Sequence, residues 1–224
     1  MIVVEKLFEL LAPHNCLGCG REGPLLCDWC KPDAFAALPD RCYRCHKLSV
    51  DSKVCENCRR FTPLAHVWVS TEYEGYTKQL LRAYKFERAK DAVELLAEHM
   101  DETLPYFKPD VIVTCVPTAT SRVRERGYDH AAELAKALAR HRGLKFRPLL
   151  YRIGQSRQVG AKKQQRLSQL ESAFRLSSKE SIKARSILLV DDIVTTGASL
   201  SACAQILRAA GAKQVNGGVF AQKQ

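Results

Sequence analysis

The chain has 224 residues, of which 46% are hydrophobic, and it carries a formal net charge of +11. This length and apolar content support one ordinary globular core with a small satellite domain, and no segment is apolar enough to span a bilayer. The composition therefore excludes an integral membrane protein and predicts a soluble one.

The first thirteen residues have an apolar stripe that predicts a short amphipathic helix. Glu5, Lys6 and Glu9 lie inside what would have to be the apolar region of a signal peptide, and no small-residue cleavage site follows. A secretory signal is therefore excluded.

Eight of the ten cysteines form four C-x-x-C pairs, a spacing that suits a metal held by tight turns. The pairs are Cys16 and Cys19, Cys27 and Cys30, Cys42 and Cys45, and Cys55 and Cys58. Two sets of four thiolates match two tetrahedral structural Zn²⁺ sites. Because metal binding explains the pairs better than disulfides do, the sequence indicates a reducing, cytoplasmic compartment.

The residues leave the grouping of these pairs open. Sequential pairing would make two zinc ribbons, interleaved pairing is the alternative, and an iron–sulfur cluster is the alternative metal. His14 and His46 lie close enough in sequence to compete as ligands. Cys115 and Cys203 fall within apolar patterns and are predicted to be core residues.

Beyond the cysteines, apolar patterns predict strands that alternate with helices, and the domain division is predicted between residues 62 and 63. Strands are predicted over 65–73, 111–116, 149–153, 187–190 and 215–220. Helices are predicted over 76–86, 89–104, 128–142 and 198–210. This order predicts an α/β domain with a mostly parallel sheet over residues 63–224, preceded by a zinc-binding domain over 1–62.

Most of the positive charge lies in one segment. Residues 141–185 contain twelve Lys and Arg against two acids, and residues 154–172 are polar without strand periodicity. Such a field attracts polyanions, either nucleic acid or a polyphosphate substrate, although a solvated surface is the alternative interpretation.

An acid pair at the predicted end of strand 187–190 indicates a ligand site. Asp191 and Asp192 are suited to accept hydrogen bonds from two ribose hydroxyls. The residues that follow can direct backbone N–H groups and hydroxyls at one phosphate, with a helix dipole behind them. These residues are Ile193, Val194, Thr195, Thr196 and Gly197.

A second loop is expected to hold a diphosphate. It follows strand 111–116, and arginine suits this ligand because its planar group donates hydrogen bonds in pairs. Its candidate residues are Val116, Pro117, Thr118, Arg122, Arg124, Arg126 and Gly127. For Arg122 and Arg124 the start of a solvated helix is an equal alternative.

The segment ILLVDDIVTTGAS, which ends at Ser199, resembles the phosphoribosyl diphosphate motif of type I phosphoribosyltransferases. A receiver-domain acid pair would follow the first strand instead, and a Walker-B acid would need a phosphate loop that the chain lacks. The resemblance implies a ligand such as phosphoribosyl diphosphate or ribose 5-phosphate. It also implies Mg²⁺ that bridges diphosphate and sugar oxygens while diphosphate leaves the anomeric carbon.

The paired cysteines together with this motif resemble the ComF family, also called ComFC or GntX-like. The blocks LFELLAPHNCLGCG, LRAYKFERAKD and VPTATSRVRERGYDHAAELAKAL carry the resemblance, which adds Lys85 to the ligand site. The chain departs from the family pattern at Asp129, His130, Ala161 and Ser199. The resemblance implies a role in natural transformation, beside a competence helicase and a recombination mediator. It also makes the segment that contains Arg157, Lys162, Lys163 and Arg166 a mobile loop that contacts diphosphate or DNA.

Two functions follow as hypotheses. The first is a competence protein with a phosphoribosyl diphosphate pocket that handles single-stranded DNA in the cytoplasm or, through partners, at the inner face of the membrane. The second is an active phosphoribosyltransferase whose acceptor the sequence does not identify.

Overall fold

The computed structural model describes residues 15–86, 90–153, 173–177 and 182–223, with backbone only at 90 and 91. The predicted helix at the N-terminus and the polar stretch 154–172 lie outside the described residues. Within them, no helix combines the length and apolarity that a membrane span needs.

Strands and helices alternate along the second part of the chain. The strands are β1 (Val67–Glu72), β2 (Ile112–Cys115), β3 (Lys145–Phe146), β4 (Leu150–Arg152), β5 (Phe174–Leu176), β6 (Ser186–Val194) and β7 (Gln214–Gln222). The helices are α1 (Lys31–Ala34), α2 (Glu56–Arg59), α3 (Gly75–Phe86), α4 (Lys90–Thr103), α5 (Thr120–Arg126), α6 (His130–His141) and α7 (Ala198–Ala209). A 3₁₀ turn, Val50–Ser52, lies within the cysteine region, between Cys45 and Cys55.

The main sheet has the strand order β1-β7-β6-β2-β3, and its neighbours are all parallel. This arrangement confirms the predicted mostly parallel α/β fold. The exception is a separate pair, β4 and β5, which runs antiparallel.

The sheet is covered on both faces, which explains why residues 187–190 of its central strand are all apolar. Leu188 and Val190 of β6 pack into one core with α3, α4 and α6. Ile187 and Leu189 face the opposite core, which contains α7 and part of the cysteine region. Because successive strand residues point to opposite faces, both sets must be hydrophobic.

Several elements differ from those predicted. The segment Thr120–Arg126 forms α5, so the helix that was an equal alternative at Arg122 and Arg124 is present, and the short strands β3 and β5 were not predicted. The central strand β6 continues four residues beyond its predicted end and includes the acid pair. Pairing with β7 explains this extension, since Ile193 and Val194 lie opposite Ala221 and Gln222.

The predicted core role of the two unpaired cysteines is confirmed. Cys115 is buried in the core on the first face and Cys203 in the core on the second. Burial raises the pKa of both thiols well above the usual value. They are therefore neutral, inert packing residues.

The second half of the cysteine region packs directly against the sheet. Tyr43, Val54 and Leu64 are almost fully buried in the same core as Leu200 and Val219. The division between residues 62 and 63 stays a prediction.

Candidate sugar-phosphate site and zinc centres

The eight paired cysteines form two separate clusters in sequential order. One contains Cys16, Cys19, Cys27 and Cys30, and the other contains Cys42, Cys45, Cys55 and Cys58. Within each cluster the sulfur atoms all lie within 4.8 Å of one another. The structure thus selects the sequential grouping over the interleaved one.

Sulfur spacing shows that the clusters fit zinc. Cys19 Sγ lies 3.8 Å from Cys27 Sγ, and Cys45 Sγ lies 3.6 Å from Cys55 Sγ. A tetrahedron with Zn–S bonds of about 2.3 Å has sulfur atoms about 3.8 Å apart, whereas a disulfide would bring them to about 2.05 Å. The backbone N–H of Cys27 also donates to Cys16 Sγ, as expected around a metal-bound thiolate. Both clusters therefore fit structural Zn²⁺.

The acid pair lies near the carboxyl end of β6, in the centre of the parallel sheet, where ligands of this class of fold bind. Asp192 is 5% exposed, and Asp191 is partly buried. The Asp191 carboxylate accepts a hydrogen bond from the backbone N–H of Asp192 at 2.9 Å. The two acids differ in their other partners.

Two side chains from different helices contact Asp192. Lys85, at the end of α3, forms an ion pair with its Oδ2 atom. His130, at the start of α6, places Nε2 3.4 Å from the same oxygen. The Tyr84 hydroxyl donates to the backbone carbonyl of His130 at 2.5 Å and so joins the two helices. This contact fixes both partners of Asp192.

These surroundings shift the pKa values of the two acids in opposite directions. Although burial opposes ionisation, the hydrogen bond from His130 and the charge of Lys85 hold the pKa of Asp192 well below its usual range. Burial, and then the negative charge of Asp192, raise the pKa of Asp191 well above its usual value. Asp192 is therefore the ionised member of the pair at neutral pH.

The orientation of the His130 ring follows from a second contact. Arg126 Nη1 lies 2.9 Å from His130 Nδ1, and an arginine can only donate. Arg126 thus contacts the Nδ1 side of the ring, while Nε2 faces Asp192. Arg126 therefore acts through His130 on the acid pair.

A turn opens immediately after β6. Thr195 and Thr196 are exposed, and Gly197 precedes α7 with a left-handed φ of 70°. The N–H groups of these three residues form no backbone hydrogen bond with any described residue. Three successive N–H groups at the start of a twelve-residue helix can bind one phosphate. Ser199 lies in the first turn of that helix.

Tyr43, between two cysteines of the second cluster, packs on this turn, a contact that no pattern in the sequence indicates. Its hydroxyl lies 3.1 Å from Ser201 Oγ, and its carbonyl accepts a hydrogen bond from Gln222 Nε2 at 2.6 Å. A Cβ atom on Gly197 would come within 2.2 Å of the Tyr43 ring. The second cysteine cluster thus helps to support this turn.

The predicted diphosphate residues lie at the end of β2 and around α5. Val116 donates its N–H to the carbonyl of Val190, so this strand end lies beside β6. Thr118 donates to the Asp129 carboxylate at 2.7 Å, and Asp129 caps α6. Gly127 ends α5 with a φ of 82°.

Pro117 is buried, Arg122 and Arg124 are exposed, and Arg126 is partly buried. The basic candidates Arg157, Lys162, Lys163 and Arg166 lie outside the described residues. Diphosphate contact by any of these residues stays a prediction.

Gly197→Ala tests the contact between Tyr43 and the turn. Gly143 has a similar φ of 62° but open space around its Cα, so Gly143→Ala measures backbone strain alone. We expect Gly143→Ala to lower the free energy of unfolding by about 1 to 2 kcal/mol. Gly197→Ala should lower it by at least about 1 kcal/mol more, because the new methyl group collides with the ring.

Urea denaturation of both variants, repeated in a Tyr43→Ala background, checks the origin of this difference. Without the ring, the two glycine substitutions should cost the same. A difference that persists would contradict the contact.

The fold and this site together define a phosphoribosyltransferase-type domain. Residues 82–224 match the family model described as "Phosphoribosyl transferase domain". Since the match spans more than half of the chain, the chain belongs to the phosphoribosyl transferase domain family.

Two curated relatives support the more specific resemblance to the ComF family. Competence protein ComFC of Streptococcus pneumoniae is 27% identical over 194 residues, which cover 85% of this chain and 84% of the relative. Competence protein ComFC of Bacillus subtilis is 28% identical over 137 residues, which cover 60% of this chain and 55% of the relative. With the two four-cysteine clusters, these matches confirm the predicted family resemblance.

Solved structures of other phosphoribosyl proteins are more distant. A phosphoribosylpyrophosphate synthetase from Mycobacterium smegmatis is 20% identical with a TM-score of 0.35, and the match covers 59% of this chain and 33% of that one. An adenine phosphoribosyltransferase is 19% identical with a TM-score of 0.39, and the match covers 64% of this chain and 75% of that one.

Proposed function

We propose that this protein is a ComF-like competence protein that binds phosphoribosyl diphosphate or ribose 5-phosphate and handles single-stranded DNA during natural transformation. One observation carries the proposal: Asp191 and Asp192 lie beside an open turn of backbone N–H groups, in a chain similar to two competence proteins. The two acids suit the hydroxyls of a sugar, and the N–H groups of the turn suit a phosphate.

In this proposal the two carboxylates accept hydrogen bonds from the ribose 2′ and 3′ hydroxyls. The turn Thr195–Gly197, with Ser199, binds the 5′-phosphate, and the strand end at Val116–Thr118 with Arg126 and Gly127 binds diphosphate. When phosphoribosyl diphosphate is bound, Mg²⁺ would supply charge neutralisation for the diphosphate. Lys85 and His130 keep Asp192 ionised, which favours it as an acceptor.

The DNA part of the proposal depends on the concentration of positive charge. Residues 141–185 carry twelve Lys and Arg and two acids, and a field of that kind attracts a single strand. The ComF resemblance supplies the partners, a competence helicase and a recombination mediator. It also favours a cytoplasmic location, at the inner face of the membrane when those partners are membrane-bound.

An active phosphoribosyltransferase is the second candidate. The acid pair beside an open turn of N–H groups, in a chain of the phosphoribosyl transferase domain family, supports this alternative. Release of diphosphate from phosphoribosyl diphosphate, measured with and without candidate acceptors, tests it. No release with any acceptor, under conditions where the ligand binds, would favour the binding protein.

A charge-removal variant tests how the basic segment acts. Lys162, Lys163 and Arg166 are replaced together with Ala, and the control replaces Lys31, Lys136 and Arg140, whose exposed side chains pair with acids. Both variants lose three positive charges. Calorimetry with phosphoribosyl diphosphate and Mg²⁺, and titration of a fluorescent single-stranded oligonucleotide at several salt concentrations, give the two affinities.

We expect the first variant alone to lose oligonucleotide affinity and to show a shallower salt dependence, by about 0.7 per lost phosphate contact. Loss of diphosphate affinity alone would instead make the segment a lid over the ligand. If both variants bind both ligands as the wild type does, the segment has only a solvating role and the DNA proposal fails.

A further inference from the structure

A cleft of about 430 Å³ lies beside the acid pair, between α3 and the residues that follow β1. Tyr73, Lys78, Arg82, Lys85 and Phe86 contribute to its walls. Its volume is within the range of small-molecule sites, about 300 to 1,000 Å³. The sugar-phosphate site described above does not use it.

Positive charge lines one wall of the cleft. Lys78, Arg82 and Lys85 are spaced by four and three residues, so they share one face of α3. Lys85 is engaged by Asp192, whereas Lys78 and Arg82 are exposed and form no ion pair within the described part of the chain. The nearby Glu72 is held by Arg41 at 2.7 Å. The wall therefore presents two cations for an anionic group.

Aromatic rings provide the second kind of surface. Phe86 is 60% exposed and lines the cleft, as does the partly buried Tyr73. The Arg126 guanidinium lies 4.9 Å from the centre of the Phe86 ring. A large exposed ring next to cations favours a ligand that is both flat and negatively charged.

One shared side chain, Lys85, and a chain of contacts through Arg126 connect the cleft to the acid pair. Lys85 lines the cleft and forms an ion pair with Asp192. Arg126 contacts both Phe86 and His130, and His130 faces Asp192 at 3.4 Å. A molecule in the cleft would consequently lie next to a sugar bound at Asp191 and Asp192.

We infer that this cleft binds a small planar ring that carries acidic substituents, held by Lys78 and Arg82 and packed against Phe86. The inference rests on the proposed function in one respect: the proposed function places a sugar phosphate next to this molecule. The cleft shares Lys85 with the sugar-phosphate site, whereas Lys78, Arg82 and Phe86 belong to the cleft alone.

Three probes separate the contributions of ring and charge. Isophthalate has a ring and two carboxylates, isophthalamide has the same ring without charge, and glutarate has two carboxylates without a ring. Ligand-observed NMR titration of the full chain measures each affinity, in the absence and presence of ribose 5-phosphate. We expect isophthalate to bind at least about tenfold more tightly than either of the other two, since only it has both contacts.

A double variant, Lys78→Gln with Arg82→Gln, tests the assigned residues. Lys136→Gln with Arg140→Gln on α6 is the control, because it has the same residue types at the same spacing. The first variant should lose the isophthalate preference and retain ribose 5-phosphate affinity, and the control should behave as the wild type does.

Equal affinity for isophthalate and either comparison probe would overturn the inference, as would unchanged isophthalate binding in the first variant. Displacement of isophthalate by a single-stranded oligonucleotide that itself needs Lys78 and Arg82 would reassign the cleft to DNA. Failure of ribose 5-phosphate to bind the wild type would overturn the proposed function instead, and the isophthalate titration would still decide this site.

Discussion

Replacement of both Asp191 and Asp192 with Asn should abolish sugar-phosphate binding while the protein remains folded. Each charge-assisted hydrogen bond that is lost contributes roughly 1.5 to 3 kcal/mol, so loss of several weakens binding by at least about a thousandfold. Calorimetric titration with ribose 5-phosphate, and with phosphoribosyl diphosphate plus Mg²⁺, measures this. If the double variant bound these ligands with wild-type affinity, the assignment of the two acids to the binding site would be wrong.

The single variants should differ in stability because the two acids have different partners. Asp192→Asn leaves the largely buried Lys85 without its counter-charge, and we expect a loss of about 3 kcal/mol in the free energy of unfolding. Asp191 has a raised pKa, so its ionisation costs stability as pH rises. Asp191→Asn should therefore be as stable as the wild type at low pH and more stable at high pH.

Urea denaturation from about pH 3 to pH 9 measures how the free energy of unfolding of each variant changes with pH. The direction of each change follows from the direction of the pKa shift. Because the pKa of Asp192 is held low in the folded state, its contribution is present above the usual carboxyl pKa near 4 and is lost as pH falls below it. The cost of Asp192→Asn should shrink in acid, while the benefit of Asp191→Asn should grow with alkali. If the free energies of unfolding of the two variants changed with pH in the same way, the two acids would not have different environments.

The second large effect concerns zinc. We expect close to two Zn²⁺ per chain by elemental analysis, since eight clustered thiolates would otherwise be reactive and mutually repulsive. Cys19→Ser and Cys45→Ser make a matched pair, because both are exposed and both are the second cysteine of their cluster. Each variant should release one Zn²⁺.

Their consequences for ligand binding should differ. The second cluster carries Tyr43, which packs on Gly197 and contacts Ser201, so Cys45→Ser should disturb the phosphate turn. We expect it to weaken ribose 5-phosphate binding about tenfold or more and to lower the thermal midpoint. Cys19→Ser should loosen the first cluster and leave the affinity unchanged. Equal ribose 5-phosphate affinities in the two variants would show that the contact of Tyr43 with the turn does not affect ligand binding.

Local patterns in the sequence were sufficient to predict much of this protein. The alternation of apolar strands with helices predicts the parallel sheet, since 187–190 can be fully apolar only where both faces are covered. The paired cysteines predict two metal sites from their number and spacing. The acids with the turn after them predict a sugar-phosphate site, because a phosphate turn is built from consecutive residues.

Contacts between distant segments decided the rest. The sequential grouping of the cysteines, the continuation of β6 to Val194 beside β7, and the contact of Tyr43 with Gly197 each depend on residues brought together by folding. The same is true of the unequal acids: Asp191 and Asp192 are identical neighbours in the chain, and contacts from Lys85 on α3 and His130 on α6 distinguish them. A short sequence motif specifies which groups are available, whereas burial and the charges of packed neighbours specify their protonation and therefore their chemistry.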